Sequence, residues 1–170
     1  MEKEEIKKMI NRYEIKYQDD GSLVAYKRNL TEEEINLLKS TKAEVVKYFE
    51  DEKKATAERH ERFESIPGLC EIRKAREELA AWHDEFNYCM DMGCGIIPAK
   101  PKTDIEALES QFPDAVFALK IEREMQSMSY DVRSVASKAY NAITEGESIK
   151  SVKAQYDADS SARSREIIWN

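Results

Sequence analysis

Glycine and proline are scarce, with five and four residues in a chain of 170. That scarcity excludes the collagen-like, fibrous and proline- or glycine-rich disordered classes. No apolar run approaches the roughly 18 residues that a membrane-spanning helix needs, and the mean hydropathy is -0.71. The opening Met1-Glu2-Lys3-Glu4-Glu5 carries no apolar signal core, so a typical secreted precursor is not expected. Cysteine is sparse and odd in number: Cys70, Cys89 and Cys94. Without an export signal these are expected to be reduced thiols in a cytoplasmic protein. A chain of this length can bury a core without disulfides. Glycine-rich phosphate loops, paired-histidine zinc helices and serine nucleophile elbows are all missing.

Charge is abundant: 36% of residues are charged, and 27 Lys and Arg stand against 34 Asp and Glu, a formal net charge of -7. Residues 1–67 hold 14 basic and 16 acidic residues, and residues 68–170 hold 13 and 18. Neither part is a basic nucleic-acid module, because phosphate binding needs concentrated cations. Direct nucleic-acid binding is therefore disfavoured. An acidic surface suits solubility or a basic partner.

The apolar pattern predicts mostly helices. Ile6, Met9 and Ile10 share one face of a helix over 3–11. Tyr13 to Tyr17 then alternates as a half-buried strand does. Asp19-Asp20-Gly21 is a turn signal, and Leu23 to Tyr26 supply the return strand of a β-hairpin. Thr31-Glu32-Glu33-Glu34 is a capping box, with Ile35, Leu37 and Leu38 expected to face inward. A second helix is expected to carry Val45, Val46 and Phe49, followed by a polar helical connector over 50–68 that Ile66-Pro67-Gly68 ends. From Leu69, the residues Ile72, Ala75, Leu79, Trp82, Phe86 and Cys89 recur at spacings of three and four, which suits a core face or the seam of a homodimer. Residues 93–103 form a long loop. Thr103-Asp104-Ile105-Glu106 reads as a second capping box. Pro113 suits the first turn of the next helix, and helices over 129–145 and about 147–168 follow. The expected fold is α+β and mostly helical: a helix/hairpin/helix module over 1–49, the connector over 50–68, and a helical domain over 69–170.

Tests for chemistry are negative. Cys70, His83, Cys89 and Cys94 have the residue types of a zinc set. On one helix, however, Cys70 and His83 stand about 20 Å apart, and Cys89 lies on the apolar stripe, where it acts as a small hydrophobe. No metal, no cofactor and no catalytic residue is expected, and an enzyme is disfavoured. The loop Pro98-Ala99-Lys100-Pro101-Lys102 is weakly basic, and Tyr13, Tyr17 and Tyr26 are better read as covering a small core than as a base-stacking platform.

Two segments carry resemblances. Residues 12–49, with the hairpin, the Asp20-Gly21-Ser22-Leu23 turn, Asn29-Leu30-Thr31-Glu32-Glu33-Glu34 and Lys42-Ala43-Glu44-Val45-Val46, resemble the N-terminal docking domain of the tubulysin-synthetase type. That resemblance implies a hairpin whose exposed edge takes an added strand from a partner, with Tyr17 and Leu23 as edge residues. Residues 93–170 are similar to small prophage-encoded proteins of gut Firmicutes. The carriers are Gly95-Ile96-Ile97-Pro98, Asp104-Ile105-Glu106-Ala107-Leu108, Phe112-Pro113, Ala139-Tyr140, Ile143-Thr144-Glu145-Gly146-Glu147 and Ile168-Trp169-Asn170. Phe112-Pro113-Asp114-Ala115 stands where that family carries Tyr-Pro-Arg-Ala.

The second resemblance implies an anti-defence protein of phage, in the manner of the anti-CRISPR inhibitors, acting in the cytoplasm of an infected or lysogenic bacterium. Its partner would be a Cas9-type effector or another host defence protein. Carboxylates would stand where phosphates lie in the effector's basic channels. The candidates are Glu32, Glu33 and Glu34; Glu50, Asp51 and Glu52; Glu106, Glu109 and Asp114; and Asp157 with Asp159. The alternative is a non-enzymatic docking or adaptor protein that binds a peptide at the hairpin edge.

Overall fold

The computed structural model describes residues 2–93, 95 and 97–168, with side chains to residue 162. The protein is α+β and mostly helical, and it divides into two compact units, Met1–Glu58 and Arg59–Asn170.

The first unit opens with α1, Lys3–Tyr13, whose Ile6, Met9 and Tyr13 are buried one turn apart. The backbone N–H of Glu2 donates to the Glu5 carboxylate at 3.2 Å, satisfying one group at the start of the helix. Glu14, in the left-handed region at φ 50°, turns the chain into the hairpin. The strands are β1, Ile15–Tyr17, and β2, Leu23–Ala25, paired antiparallel with Ile15 opposite Ala25 and Tyr17 opposite Leu23. Tyr13 belongs to the helix rather than to the strand the alternation predicts, because its ring completes the apolar stripe of α1. Gly21, at φ 81°, closes the three-residue loop, and the Gln18 N–H donates to the Ser22 carbonyl at 2.8 Å.

A single helix, α2, runs Glu32–Glu64 where the sequence predicts a helix, a second helix and a polar helical connector, so the connector is helical as expected but is continuous with what precedes it. No glycine or proline interrupts those residues. The hydroxyls of Ser40, Thr41 and Thr56 bond back to the Leu37 and Glu52 carbonyls at 2.8–2.9 Å, so these residues stay within the helix. The boundary between the two units falls within α2. The core of the first unit is Ile6, Met9, Tyr13, Ile15 and Val45, with Leu38, Tyr48 and Phe49 packed against it.

The second unit takes the end of α2 and five further helices: α3 Leu69–Asp91, α4 Ile105–Gln111, α5 Pro113–Met125, α6 Tyr130–Glu145 and α7 Ile149–Ile168. Gly68, at φ 80°, precedes α3, and a Cβ built there would lie 2.2 Å from Cγ of Phe112, so only glycine lets the ring close over the turn. Asp104, not Thr103, caps α4, accepting from the Ala107 N–H at 3.1 Å. Pro113 occupies the first turn of α5. Ala115, Ala118, Leu119 and Ile121 of α5 meet Val135, Ala136, Ala139 and Ile143 of α6 and Val152 and Tyr156 of α7. The alanines let the helices approach closely, and each fully buried Leu or Ile contributes about 1.5–3 kcal/mol.

Polar ties complete the second unit. Arg73 forks onto both Glu64 oxygens at 2.7 and 2.9 Å, and its second nitrogen reaches Glu122 at 3.1 Å. Arg62 donates to the carbonyl of the buried Thr144 at 3.0 Å. The Tyr156 hydroxyl donates to Glu124.

Candidate functional site

Hydrogen bonding in the hairpin determines which backbone groups are offered to a partner. Gln18 pairs with Ser22, and the Tyr26 N–H donates to the Glu14 carbonyl at 3.3 Å. Lys16 and Val24 lie between these pairs in register, so they form the bonded pair between them. The alternation leaves the N–H and C=O groups of Leu23 and Ala25 directed outward from β2. Among the described residues no third strand joins the sheet. The same alternation turns the side chains of Ile15, Tyr17, Leu23 and Ala25 toward the helices and those of Lys16, Val24 and Tyr26 outward, with the Lys16 ammonium 5.0 Å from the Tyr26 ring centre.

Between the hairpin and the first turns of α2 lies an apolar groove of about 240 Å³. Ile15, Leu23 and Ala25 line it from the hairpin, Ile35, Leu38 and Val45 from α2, and Leu30 from the segment between them. Lys39 and Lys42 complete the lining, which contains no carboxylate. Apart from Leu23, sequence reasoning missed these residues, because Ile35 and Leu38 read as the inward face of an ordinary amphipathic helix. In fact Ile35 is 38% exposed at the groove, and Leu37, also expected inside, is 45% exposed. The signal available in the sequence was Lys39 four residues after Ile35 and Lys42 four residues after Leu38, in an otherwise acidic chain.

The groove stands on a fixed frame. Glu34 and Thr31 form the expected capping box, with Glu34 N–H to the Thr31 hydroxyl at 3.2 Å and Thr31 N–H to the Glu34 carboxylate at 3.1 Å. The same carboxylate receives Lys27, just beyond β2, at 3.1 Å and Arg12 of α1 at 3.4 Å. The Thr31 N–H, then Lys27 and Arg12, hold the Glu34 carboxyl below its usual range. Tyr17 stacks on Phe49 of α2, and its hydroxyl lies 3.5 Å from Glu50. Of the two expected edge residues, Leu23 lines the groove and Tyr17 anchors β1.

The acidic candidates are divided between the two units, Glu32 to Glu34 and Glu50 to Glu52 in the first and the remainder in the second. Glu34, Glu52 and Glu109 are engaged by Lys27 and Arg12, by Lys3 at 2.6 Å, and by Arg76 at 2.7 Å. Glu50 and Asp51 are exposed on α2, and Glu32 and Glu33 are exposed in its first turn. Glu106, Asp114 and Asp157 are exposed on α4, α5 and α7. Asp159 accepts from Gln155 at 2.7 Å.

Among the described residues no three His, Cys, Asp or Glu side chains are placed to hold a metal ion. Cys70 and His83 are exposed and Cys89 is half-buried, whereas Cys94 lies outside the described residues. No helix is long and apolar enough to cross a membrane among the residues described. Comparison with models of known families, with curated proteins and with solved structures finds no match.

Proposed function

We propose that the chain is a non-enzymatic docking protein whose first unit binds an extended segment of a partner by strand addition along β2. The observation that carries this reading is the coincidence of an unpaired strand edge with an apolar groove. Outward backbone groups at Leu23 and Ala25 supply the ladder, and the groove takes an apolar side chain of the added strand. Lys39 and Lys42 suit a carboxylate on that segment. The test is selection from a random peptide library on the whole chain. Enriched peptides should bind the parent and lose binding to Ala25→Pro, which removes an outward N–H while leaving the Lys16–Val24 pair intact. Absence of enrichment, or equal binding by the variant with its helical circular dichroism unchanged, would sink the reading.

A second reading is favoured by the exposed carboxylates Glu32, Glu33, Asp51, Glu106, Asp114 and Asp157, which enter no ion pair among the described residues. In this reading the protein is an anti-defence factor of phage that blocks a Cas9-type effector stoichiometrically. Plasmid cleavage by guide-loaded Cas9 tests it. Loss of cleavage near equimolar protein supports it, and undiminished cleavage at excess with effectors of several lineages removes it.

A further inference from the structure

The stripe along α3 leaves the core halfway. Ile72 and Ala75 are buried, but Leu79, Trp82, Phe86 and Cys89 are only half-buried. Trp82 is held in place: its indole N–H donates to the Pro98 carbonyl at 3.0 Å, and its ring lies 5.3 Å from Phe86. Around the same end, Tyr88, Met90 and Met92 are 61%, 59% and 65% exposed. From Phe86 to Met92, Phe86, Tyr88, Cys89, Met90 and the C-cap Met92 are apolar, and Asn87 and Asp91 keep one side of the turn polar. Exposed apolar side chains grouped at one helix end mark an interaction surface, and methionine side chains adapt readily to a partner's surface.

Charge identifies the kind of partner. Glu77, Glu78, Asp84, Glu85 and Asp91 lie between Glu77 and Gly93, a segment with no lysine or arginine. Among the described residues, Glu78 alone of these has a basic neighbour within 4.0 Å, the exposed Lys74. The last turn of α3 holds no basic residue, so the negative end of its dipole is uncompensated by a cationic side chain. At helical spacing Glu78 and Glu85 border the Trp82–Phe86 stripe.

We propose that the distal half of α3 with its C-cap, from Leu79 to Met92, is a docking surface for a basic amphipathic helix of another protein. The apolar face of that helix covers Trp82, Phe86 and Met90, and its lysines or arginines meet Glu78 and Glu85. A second copy of this chain suits the surface poorly, because it brings the same carboxylates against themselves. The proposal rests on residues of the second unit and is independent of the hairpin groove.

The probes are two synthetic helical peptides of about 18 residues with leucine at helical spacing. One carries lysine at every other position of the polar face, and its counterpart carries glutamate there. Emission of Trp82 is followed in a Trp169→Phe background. The lysine peptide should bind saturably near one to one, shift the emission to the blue and weaken with salt. The glutamate peptide should not bind. Glu78→Lys with Glu85→Lys should weaken the lysine peptide at least about tenfold, as removal of two close charge pairs does, and the exposed Met90→Gln should weaken it less. Equal binding of both peptides, or full affinity in the charge-reversed variant, would overturn the proposal. So would sedimentation showing a dimer of the free chain that a Trp82→Ala substitution dissolves.

Discussion

Tyr17 on β1 and Phe49 on α2 stack with ring centres 5.6 Å apart and planes within 9° of parallel. A two-stranded hairpin is marginal by itself, and this stack, with Tyr13 and Ile15 beneath it, holds the hairpin against the helix. Phe49→Ala should cost the first unit about 1–3 kcal/mol, less than the loss of a fully buried ring because Phe49 is half-buried. Chemical denaturation checks the cost. Amide exchange in β1 and β2 should accelerate more than in α5 or α6.

Glu34 makes the same frame sensitive to acid. Its carboxyl is held below the usual 4.5 by the Thr31 N–H, then by Lys27 and Arg12. A carboxyl depressed in the folded state contributes stability that is full above its unfolded value and lost as pH falls through the folded one. Hairpin stability should therefore decline below about pH 4.5, and Glu34→Gln should flatten that decline while lowering stability at neutral pH. Thermal unfolding at a series of pH values, followed at β1 and β2 by NMR, tests both.

Gly68 and Phe112 give a steric prediction. Gly68→Ala places a methyl group 2.2 Å from the Phe112 ring at a positive φ. The backbone strain alone costs about 1 kcal/mol, and the overlap adds to it. The melting temperature of the second unit should fall in Gly68→Ala. Combining it with Phe112→Ala should cost less than the sum of the two single changes, the signature of a direct clash.

Hairpin, capping box, the glycine break at Gly68 and the Pro113 helix start were all legible in the sequence, because each rests on chemistry within a few residues. Asp20-Gly21 and Thr31-Glu34 carry their own hydrogen-bonding instructions. The helical character of 50–64 was legible, but its continuity with 32–49 was not, because the change to a polar face at Glu50 resembles a boundary when only burial is considered, whereas an absence of breakers suffices to propagate a helix. The groove was hidden for a related reason. Ile35 and Leu38 look like core positions, and only tertiary placement of β2 leaves a gap between them and Leu23. The stripe on α3 was visible as a stripe, but spacing alone could not reveal that its core contacts end at Ala75.

Arg73 supplies a fourth prediction. Its guanidinium joins Glu64 at the end of α2 to Glu122 on α5, and those carboxylates raise its pKa further above the usual arginine range. Arg73→Met should destabilise the second unit by about 1 kcal/mol, the upper end for ion pairs screened by solvent, because the fork onto Glu64 is bidentate while all three groups are partly exposed. Arg73→Lys should not restore the loss, because an ammonium cannot fork onto a carboxylate. Urea unfolding of the three proteins distinguishes these outcomes.

Amide exchange at Leu23 and Ala25, measured in the whole chain with and without a selected peptide, tests the docking proposal most directly. Strand addition along β2 requires both amides to become protected on binding while Val24, already paired within the hairpin, changes little. Binding that leaves Leu23 and Ala25 exchanging as fast as in the free protein would contradict it.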